Sequence, residues 1–320
     1  MMPLNVLVTG ATGFVGEALV MHLLVDRRFC PVAAARGATR LLGLCRVMPF
    51  DLARAEVLPA FAGIQVVVHA AARVHVMREE AADALAEFRN INVQGTLKLA
   101  RQAAESGVKR FIFISSIKVN GECTPTSKAF RADDLPSPMD PYGISKYEAE
   151  EALKHLGRET GMEIVIIRPP LVYGPGVKAN FMSLLGWLRR GVPLPLGAVR
   201  NRRSLVSIGN LISLIVTCID HPAAANQVFL VSDGEDLSTS QLLNRLSRAF
   251  GRRARLLPVP EWLLKLVASM FGMQAVVQRL CGSLQVDIDK NRELLGWLPP
   301  VSVDRAMRQT VNHFLDTSAK

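Results

Sequence analysis

Short apolar runs alternate with longer stretches of helical periodicity through the first half of the chain. Apolar runs of this length are typical of buried strands, and apolar positions repeated every three or four residues predict helices. The predicted strands cover residues 6–8, 31–35, 65–68, 111–114 and 163–167, and the predicted helices cover residues 14–25, 79–105 and 142–156. Strands and helices that alternate in this way indicate βαβ units. The pattern therefore predicts an α/β fold built on a Rossmann-type, doubly wound parallel sheet.

The pattern changes after Arg168, where prolines and glycines interrupt it. We expect residues 1–168 to form the first domain, together with strand-like segments that return to it at about 204–232. Residues 169–203 and 233–320 are predicted to form a smaller, mostly helical C-terminal lobe.

Three glycines follow the first predicted strand in the pattern G-x-x-G-x-x-G and lead into the first helix. Glycine in such a turn lets backbone N–H groups approach a pyrophosphate at the helix N-terminus, where the helix dipole favours anions. The position between a strand and a helix makes this a dinucleotide-binding pattern. The predicted pyrophosphate-binding residues are Gly10, Thr12, Gly13, Phe14, Val15 and Gly16.

The end of the second strand bears on which dinucleotide binds. An acid at this point usually pairs with the ribose hydroxyls of NAD, whereas a base accommodates the extra phosphate of NADP. The chain has Arg36 here, with Arg40 nearby and no acid. This favours NADP, although an arginine at a strand end is also typical of solvated surface. NAD and NADP both remain open.

Tyr142 and Lys146 are four residues apart on a predicted helix and therefore share one face. A phenol has a pKa of about 10, so its action at neutral pH requires a nearby cation to stabilise the phenolate. The same lysine is placed to bond a nicotinamide ribose. Ser115 and Ser116 end the strand at 111–114, at the sheet edge where ligands bind. We predict Tyr142, Lys146 and Ser116 as the catalytic residues.

Small and polar residues follow the other strands where a dinucleotide would lie. Asp51 is placed to meet the adenine amino group, and Asn92 is expected to hold its helix against the strand that carries the chemistry. The further predicted cofactor contacts are Arg36, Asp51, Leu52, Ala70, Ala71, Ala72, Asn92, Ser115 and Pro169, together with Tyr142 and Lys146.

With these motifs the chain resembles the extended short-chain dehydrogenases of the NAD-dependent epimerase/dehydratase family. The resemblance rests on the glycine turn, the Ser115–Ser116 pair and residues 142–146 and 168–175, and it covers nearly the whole length. It implies a cofactor in the N-terminal domain and a UDP-sugar in the smaller lobe. It also implies a homodimer in which two long helices of each subunit pair, here 79–105 and 142–156.

Within the family, residues 114–122 and 174–181 resemble most closely the bacterial reductases of UDP-4-keto-6-deoxy-N-acetylhexosamine. That resemblance implies hydride transfer at C4 to give UDP-N-acetylquinovosamine, or the reverse dehydrogenation, for surface polysaccharide such as lipopolysaccharide O-antigen. Relatives of similar sequence are called UDP-glucose 4-epimerases, so epimerisation at C4 of UDP-glucose or UDP-N-acetylglucosamine is the alternative. Asn120 stands where many epimerases have tyrosine. A non-catalytic dinucleotide-sensing module is a third hypothesis, against which the presence of both Tyr142 and Lys146 argues.

The resemblance also implies the substrate-binding residues. Asn180 would contact the diphosphate or the uridine, and Arg203 would pair with the diphosphate, since guanidinium bonds phosphate oxygens in bidentate fashion. A further arginine of the family is missing, because Ser283, Leu284 and Gln285 occupy its segment. The predicted substrate-binding residues are Ser116, Lys118, Asn180 and Arg203.

Composition and charge exclude some classes of protein and indicate the kind of partner. The chain has 320 residues, 49% of them hydrophobic, and a formal charge of +10 with a pI of about 9.7. These values exclude a disordered tail or a disulfide-stapled miniprotein and indicate an anionic partner. Basic clusters at 27–28, 189–190 and 252–255 are separated in sequence and lack interleaved aromatic residues, so we predict no nucleic-acid binding.

Five cysteines occur without paired spacing, which predicts free thiols, a reducing compartment and no metal site. The chain shows no signal-peptide pattern, so a cytoplasmic location is expected. The apolar stretches at 204–219 and 266–278 are shorter than the about 20 residues that a membrane span needs. Both are predicted to be buried helices, with an amphipathic membrane-contacting segment at 262–280 as the alternative.

Overall fold

The computed structural model describes residues 3–54, 58–73, 83–125, 128–272 and 274–318. The strands are β1 (Leu4–Thr9), β2 (Phe29–Ala35), β3 (Arg46–Pro49), β4 (Val66–His69), β5 (Arg110–Ile114), β6 (Glu163–Arg168), β7 (Leu171–Tyr173), β8 (Arg203–Ser207), β9 (Val228–Leu230) and β10 (Asp236–Leu237). The helices are α1 (Phe14–Val25), α2 (Ala84–Phe88), α3 (Thr96–Glu105), α4 (Pro141–Thr160), α5 (Ala179–Arg190), α6 (Ile208–Asp220), α7 (Thr239–Ala249), α8 (Glu261–Met270), α9 (Gln274–Cys281), α10 (Asp289–Leu295) and α11 (Val303–Ser318).

Seven parallel strands of the described chain form the main sheet in the order β3-β2-β1-β4-β5-β6-β9. Side chains alternate between two buried faces. In β1, Val6 and Val8 enter the core beneath α1 and α6, whereas Leu7 enters the core beneath α3 and α4. A sheet covered on both sides requires continuous apolar strands, which explains why β4 begins with three valines. The predicted Rossmann-type parallel sheet is confirmed.

The order of the strands places the turn after β1 next to the turn after β4. The direction in which successive strands are added across the sheet reverses at β1, since β2 and β3 lie on one side of it and β4, β5, β6 and β9 on the other. Ligands of open parallel sheets bind at such a switch point, outside the carboxyl ends of the strands.

The return of the chain to the main sheet differs in part from the prediction. β9 does extend the sheet beside β6, but β8 pairs with β7 and β10 in a separate three-stranded sheet. It is α6, directly after β8, that packs on the main sheet, with Leu211, Leu214 and Ile215 in the core. The division of the chain into two domains stays a prediction.

Two predicted helices are interrupted. In the predicted helix 79–105, residues 79–82 lie outside the described part of the chain, and a π-helical turn at Arg89–Gly95 separates α2 from α3. The stretch 266–278, predicted to be a buried helix, is instead divided between α8 and α9 at Gly272, whose φ of +64° ends a helix readily. Its Leu266, Met270 and Phe271 side chains are exposed, so the prediction that it is buried is wrong. In the described ranges, no helix is long and apolar enough to cross a membrane.

Candidate functional site

The glycine turn joins β1 directly to α1. Gly10 has a φ of +65°, and its carbonyl accepts a hydrogen bond of 2.8 Å from the N–H of Gly13. No side chain caps α1 at Gly13, which leaves N–H groups of the first turn available to an anion.

The three glycines meet different requirements. A Cβ at Gly10 would lie 2.7 Å from the nitrogen of Ala71, and one at Gly16 would lie 2.2 Å from the carbonyl oxygen of Gly10. Packing of the turn itself therefore excludes side chains at both positions. A Cβ at Gly13 meets only the Gly10 oxygen, at 3.1 Å, and the residue is exposed. Gly13 thus leaves open space over the helix N-terminus, and the turn fits a dinucleotide pyrophosphate.

At the end of β2, Arg36 is exposed, as an arginine that receives a phosphate from solvent would be. Arg40 is differently engaged, because its guanidinium forms an ion pair with Glu17 of α1. After β3, Asp51 is half-buried and accepts a hydrogen bond of 3.1 Å from the N–H of Ala53. The Leu52 backbone lies close against Gly95 at the end of the π-helical turn, since a Cβ at Gly95 would lie 2.6 Å from the Leu52 carbonyl oxygen.

Asn92 joins three elements around the end of β4. Its amide oxygen accepts from the Arg73 N–H at 2.8 Å, and its amide nitrogen donates to the Arg73 carbonyl at 3.0 Å. The same nitrogen donates to Ser145 Oγ on α4 at 3.1 Å. Asn92 therefore positions the chain that follows Ala70, Ala71 and Ala72, all half-buried, and ties it to the helix that carries Tyr142.

Helix α4 is held at its N-terminus by Asp140. Its Oδ1 accepts from the Gly143 N–H at 2.7 Å, which caps the helix. A Cβ at Gly143 would lie 3.0 Å from the Lys118 carbonyl oxygen, so this glycine allows the helix to approach the segment after β5 closely. This approach brings Tyr142 to the same cavity as Ser116 and Lys118.

Lys146 lies one helical turn after Tyr142 and is buried. Its Nζ donates to the Ile114 carbonyl at 2.9 Å and lies 4.3 Å from the centre of the Phe113 ring and 6.0 Å from that of Tyr142. Burial lowers the pKa of Lys146 to about 7, an effect that the Glu150 carboxylate partly offsets. Burial, with a smaller effect of the Asp140 carboxylate, raises the pKa of Tyr142 above its ordinary value. The phenol is therefore neutral in the free protein.

One further turn along α4, Glu150 forms a fully buried ion pair with Arg168 of β6. The Nη2–Oε2 and Nε–Oε1 distances are 2.5 and 3.0 Å. Ser115 Oγ donates to Glu150 Oε1 at 2.5 Å, and Arg168 Nη1 donates to the amide oxygen of Asn120 at 3.0 Å. Asn120, which replaces a tyrosine common in epimerases, thus binds a buried cation beneath the site.

A cavity of about 620 Å³ lies among the segments that follow β5 and β6, the start of α4, the start of β8, and α9. Ser116, Tyr142 and Arg203 all line it. Lys118 Nζ lies 3.3 Å from Glu122 Oε1 and also forms an ion pair with Asp140. The remaining lining residues are Ile117, Pro169, Pro170, Leu171, Gln278, Arg279 and Leu284.

Two arginines line this cavity. Arg203 begins β8, and its Nη1 donates to the Gly282 carbonyl at 3.0 Å, while burial lowers its pKa. Arg279 of α9 lines the same cavity. The family resemblance implies a further arginine in the segment 283–285, where this chain has none. In the structure, Arg279 brings a second arginine to the cavity from a different position. Asn180 lies exposed in the first turn of α5 and is not among the lining residues.

Sequence reasoning missed Glu122, Asp140 and Arg279 as cavity residues. Asp140 carried a signal, since an aspartate directly before Pro141 is typical of a helix N-cap. Arg279 carried none, because only the tertiary structure places it at the same cavity as Arg203.

The fold and the site together have the arrangement of the extended short-chain dehydrogenase type, with a serine after β5 and a tyrosine and a lysine on α4. The model of the NAD dependent epimerase/dehydratase family matches residues 6–232, and the chain belongs to that family. It is an enzyme of the family rather than a non-catalytic sensing module, and the resemblance stated from the motifs is confirmed.

Two similar proteins have functions that are consistent with this family. The UDP-glucose 4-epimerase of Vibrio cholerae is 49% identical over 320 residues, which cover 99% of this chain and 97% of that protein. The N-acetyl-alpha-D-glucosaminyl-diphospho-ditrans,octacis-undecaprenol 4-epimerase of Escherichia coli O157:H7 is 26% identical, with 97% and 95% covered.

Solved structures share the fold. The UDP-glucose 4-epimerase of Thermotoga maritima, solved with UDP-glucose, superposes with a TM-score of 0.77 at 23% identity, covering 98% of this chain and 100% of that one. The UDP-glucuronic acid 4-epimerase of Bacillus cereus, in complex with NAD, has a TM-score of 0.78 at 21% identity, with 98% and 99% covered.

Proposed function

We propose that this enzyme transfers hydride at C4 of a UDP-sugar and reduces UDP-4-keto-6-deoxy-N-acetylhexosamine to UDP-N-acetylquinovosamine. The observation that carries the proposal is the cavity that Ser116, Tyr142, Arg203 and Arg279 line together. Such a cavity offers hydroxyl proton donors for a sugar oxygen and two guanidinium groups for a diphosphate.

The cofactor is proposed to lie along the switch point of the sheet. The pyrophosphate would bind the N–H groups of Thr12, Gly13, Phe14 and Val15, while Asp51 and Leu52 would border the adenine. Ala70, Ala71, Ala72, Asn92, Ser115 and Pro169 would line the path towards the nicotinamide. The dinucleotide, when bound in its reduced form, supplies a hydride to the keto carbon.

Tyr142 is proposed to donate its phenolic proton to the oxygen of C4 as that oxygen gains negative charge. A neutral phenol, which the burial of Tyr142 favours, is the form that this direction of reaction requires. Ser116 would donate a second hydrogen bond to the same oxygen, and the Lys146 ammonium would stabilise the phenolate that remains. In the reverse direction the phenolate acts as the base.

The second candidate is 4-epimerisation of UDP-glucose or UDP-N-acetylglucosamine, which the name of the Vibrio cholerae relative favours. An epimerase uses the same residues but retains its cofactor through both half-reactions. The reductase remains the first choice because of the likeness of residues 114–122 and 174–181 to such reductases.

One experiment separates the two. The purified protein is incubated with UDP-glucose or UDP-N-acetylglucosamine without added cofactor, and separately with freshly generated UDP-4-keto-6-deoxy-N-acetylhexosamine and NADH or NADPH. We expect stoichiometric oxidation of the reduced cofactor in the second mixture, with a product of the quinovosamine configuration. Catalytic epimerisation in the first mixture, without turnover in the second, would instead establish the epimerase.

Two substitutions on α4 test the proton donor. Tyr142→Phe removes the hydroxyl and is expected to lower kcat by about 10²- to 10⁴-fold. Tyr147→Phe is the matched control, since Tyr147 lies on the same helix outside the cavity residues, and it should leave kcat within about twofold of the parent. Near-normal turnover of Tyr142→Phe would refute the assignment.

Arg36 is proposed to favour NADP by pairing with its additional phosphate. Arg36→Gln should then lower kcat/KM for NADPH and leave that for NADH unchanged. Arg40→Gln serves as the control, because Arg40 is occupied by Glu17. Equal use of both cofactors by the parent enzyme would remove the preference.

Substrate binding is proposed to involve Ser116, Lys118, Asn180 and Arg203, with Arg279 added from the structure. Replacing Arg203 or Arg279 by glutamine should raise KM for the UDP-sugar more than it lowers kcat. We further propose a homodimer through α3 and α4, a cytoplasmic location, a role in surface polysaccharide synthesis and no nucleic-acid partner.

A further inference from the structure

Two segments of the C-terminal lobe carry the whole positive excess of the chain. Residues 178–203 and 252–282 contain eleven of the 38 Lys and Arg residues but only one of the 28 Asp and Glu residues, Glu261. The remainder of the chain has 27 residues of each sign and is formally neutral. The charge of +10 is therefore concentrated in less than a fifth of the sequence.

The fold brings these two segments side by side. The Leu194 N–H donates to the Arg255 carbonyl at 2.9 Å, and the Leu257 N–H donates to the Leu194 carbonyl at 2.8 Å. Arg252 Nη1 donates to the Arg189 carbonyl at 2.8 Å. The clusters at 189–190 and 252–255, which are separate in sequence, thus adjoin in the structure. Their guanidinium groups are exposed.

The same two segments expose apolar side chains. On α8, Trp262, Leu266 and Met270 follow one another at four-residue spacing and are 66, 51 and 75% exposed, and Phe271 after the helix is 70% exposed. Residues four apart share one helical face, so these side chains form a ridge. Ala268 of α8 is buried. We give the name basic apolar face to the ridge, α9 and the exposed residues Arg189, Arg190, Arg252, Arg253 and Arg255.

Exposed apolar side chains together with exposed arginines indicate what kind of partner binds this face. Exposed Trp, Phe, Leu and Met with flanking cations are typical of helices that lie in the headgroup region of a bilayer, where apolar side chains enter the lipid and cations meet anionic headgroups. A second copy of the chain is disfavoured, because pairing this face with itself would bring its positive charges together. Single-stranded nucleic acid calls for successive aromatic stacking platforms, whereas Leu266 and Met270 separate Trp262 from Phe271 on the ridge.

We propose that the basic apolar face binds the surface of an anionic phospholipid membrane, with α8 lying on the bilayer. The ten residues of α8 suit this position and are too few to span it. Gln278 and Arg279 of α9 line the cavity described above, so the bound membrane would lie close to its entrance. The inference does not depend on which sugar the enzyme uses.

Vesicle flotation and tryptophan fluorescence test the proposal. The full chain is mixed with vesicles of phosphatidylcholine alone or of phosphatidylcholine with phosphatidylglycerol, with and without brominated acyl chains. We expect flotation with the anionic vesicles, loss of flotation at about 1 M salt, where the Debye length is about 3 Å, and quenching of tryptophan by brominated lipid. Trp297 is buried, whereas Trp187 is 47% exposed, so the quenching is measured in a Trp187→Phe background, where Trp262→Phe should remove most of it.

Substitutions distinguish the contributions of charge and apolar area. Arg252→Gln with Arg253→Gln should weaken binding to anionic vesicles about 25-fold, at about fivefold for each charge. Met270→Glu with Phe271→Glu should abolish flotation.

The matched controls carry the same changes elsewhere on the surface. Arg27→Gln with Arg46→Gln, and Leu135→Glu with Leu298→Glu, alter exposed residues outside the face and should bind as the parent does. All variants are checked for an unchanged melting temperature and cofactor binding.

Absence of flotation with anionic vesicles would overturn the proposal. So would equal binding to neutral vesicles, or equal loss of binding in the control variants. Sedimentation that shows self-association lost in Met270→Glu with Phe271→Glu, without vesicle binding, would assign the face to a second copy instead. Binding of RNA at physiological salt without vesicle binding would likewise refute the membrane as partner.

Discussion

Replacing Glu150 by glutamine removes the negative charge of a buried ion pair while keeping the volume of the side chain. Glu150 and Arg168 are both essentially inaccessible to solvent, and their contact is bidentate. In Glu150→Gln the Arg168 guanidinium keeps the Asn120 amide oxygen as its acceptor but loses its counter-charge. A buried charge left without its partner costs about 3–5 kcal/mol. We expect the free energy of unfolding to fall by that amount.

Urea unfolding measures this loss, and Glu151→Gln is the matched control on the same helix. Glu151 pairs with Lys154 at 2.8 Å near the surface, with side chains 48 and 32% exposed. Such a pair contributes about 0.5 kcal/mol or less. The double variant Glu150→Met with Arg168→Met removes both charges and should recover most of the stability that Glu150→Gln loses.

The same substitution has a kinetic consequence that a purely structural role would not produce. The Glu150 carboxylate raises the pKa of Lys146 against the effect of burial, so its neutralisation should lower that pKa below about 7. The pH at which kcat/KM declines should then move to lower pH in Glu150→Gln and in the double variant alike. A loss of stability under about 1 kcal/mol, or an unmoved pH profile, would refute the reasoning.

Three further outcomes are expected. Gly10→Ala should lower the free energy of unfolding in urea by at least about 2 kcal/mol, because its Cβ would lie 2.7 Å from the backbone nitrogen of Ala71. Gly107→Ala is the control, since Gly107 has a similar positive φ in open space, and it should cost only about 1 kcal/mol. Equal losses in the two variants would contradict the packing argument. Burial, reinforced by Lys146, lowers the pKa of His69 to about 3, so below pH 6.5 the unfolded chain binds a proton that the folded chain does not, and stability should fall by about 1.4 kcal/mol per pH unit towards pH 3. His69→Gln should flatten that part of the pH–stability curve, and an unchanged curve would disprove it. In the parent enzyme kcat/KM for reduction should decline above pH 7 as Lys146 loses its proton, and a profile level up to pH 9 would contradict that assignment.

Much of the main domain could be predicted because its signals are local. The strands and helices at the start of the chain are set by apolar periodicity, and the structure extends most of them by only a few residues. The glycine turn and the Tyr142–Lys146 pair are likewise short-range, since a turn between strand and helix and a spacing of four residues each depend on neighbouring backbone alone.

The sequence alone determined the class of fold, and it located the glycine turn and the Tyr142–Lys146 pair on one helical face, because each depends on residues close together in the chain. Only the tertiary structure decided that β8 belongs to the small sheet, that Arg279 joins Arg203 at one cavity and that Glu150 meets Arg168 beneath Lys146. It also brought the separate basic clusters at 189–190 and 252–255 next to each other. These arrangements join residues that are separated in the chain, from 18 positions for Glu150 and Arg168 to 76 positions for Arg203 and Arg279. Hydrophobic periodicity cannot predict these contacts, because they arise from the packing of one element against another.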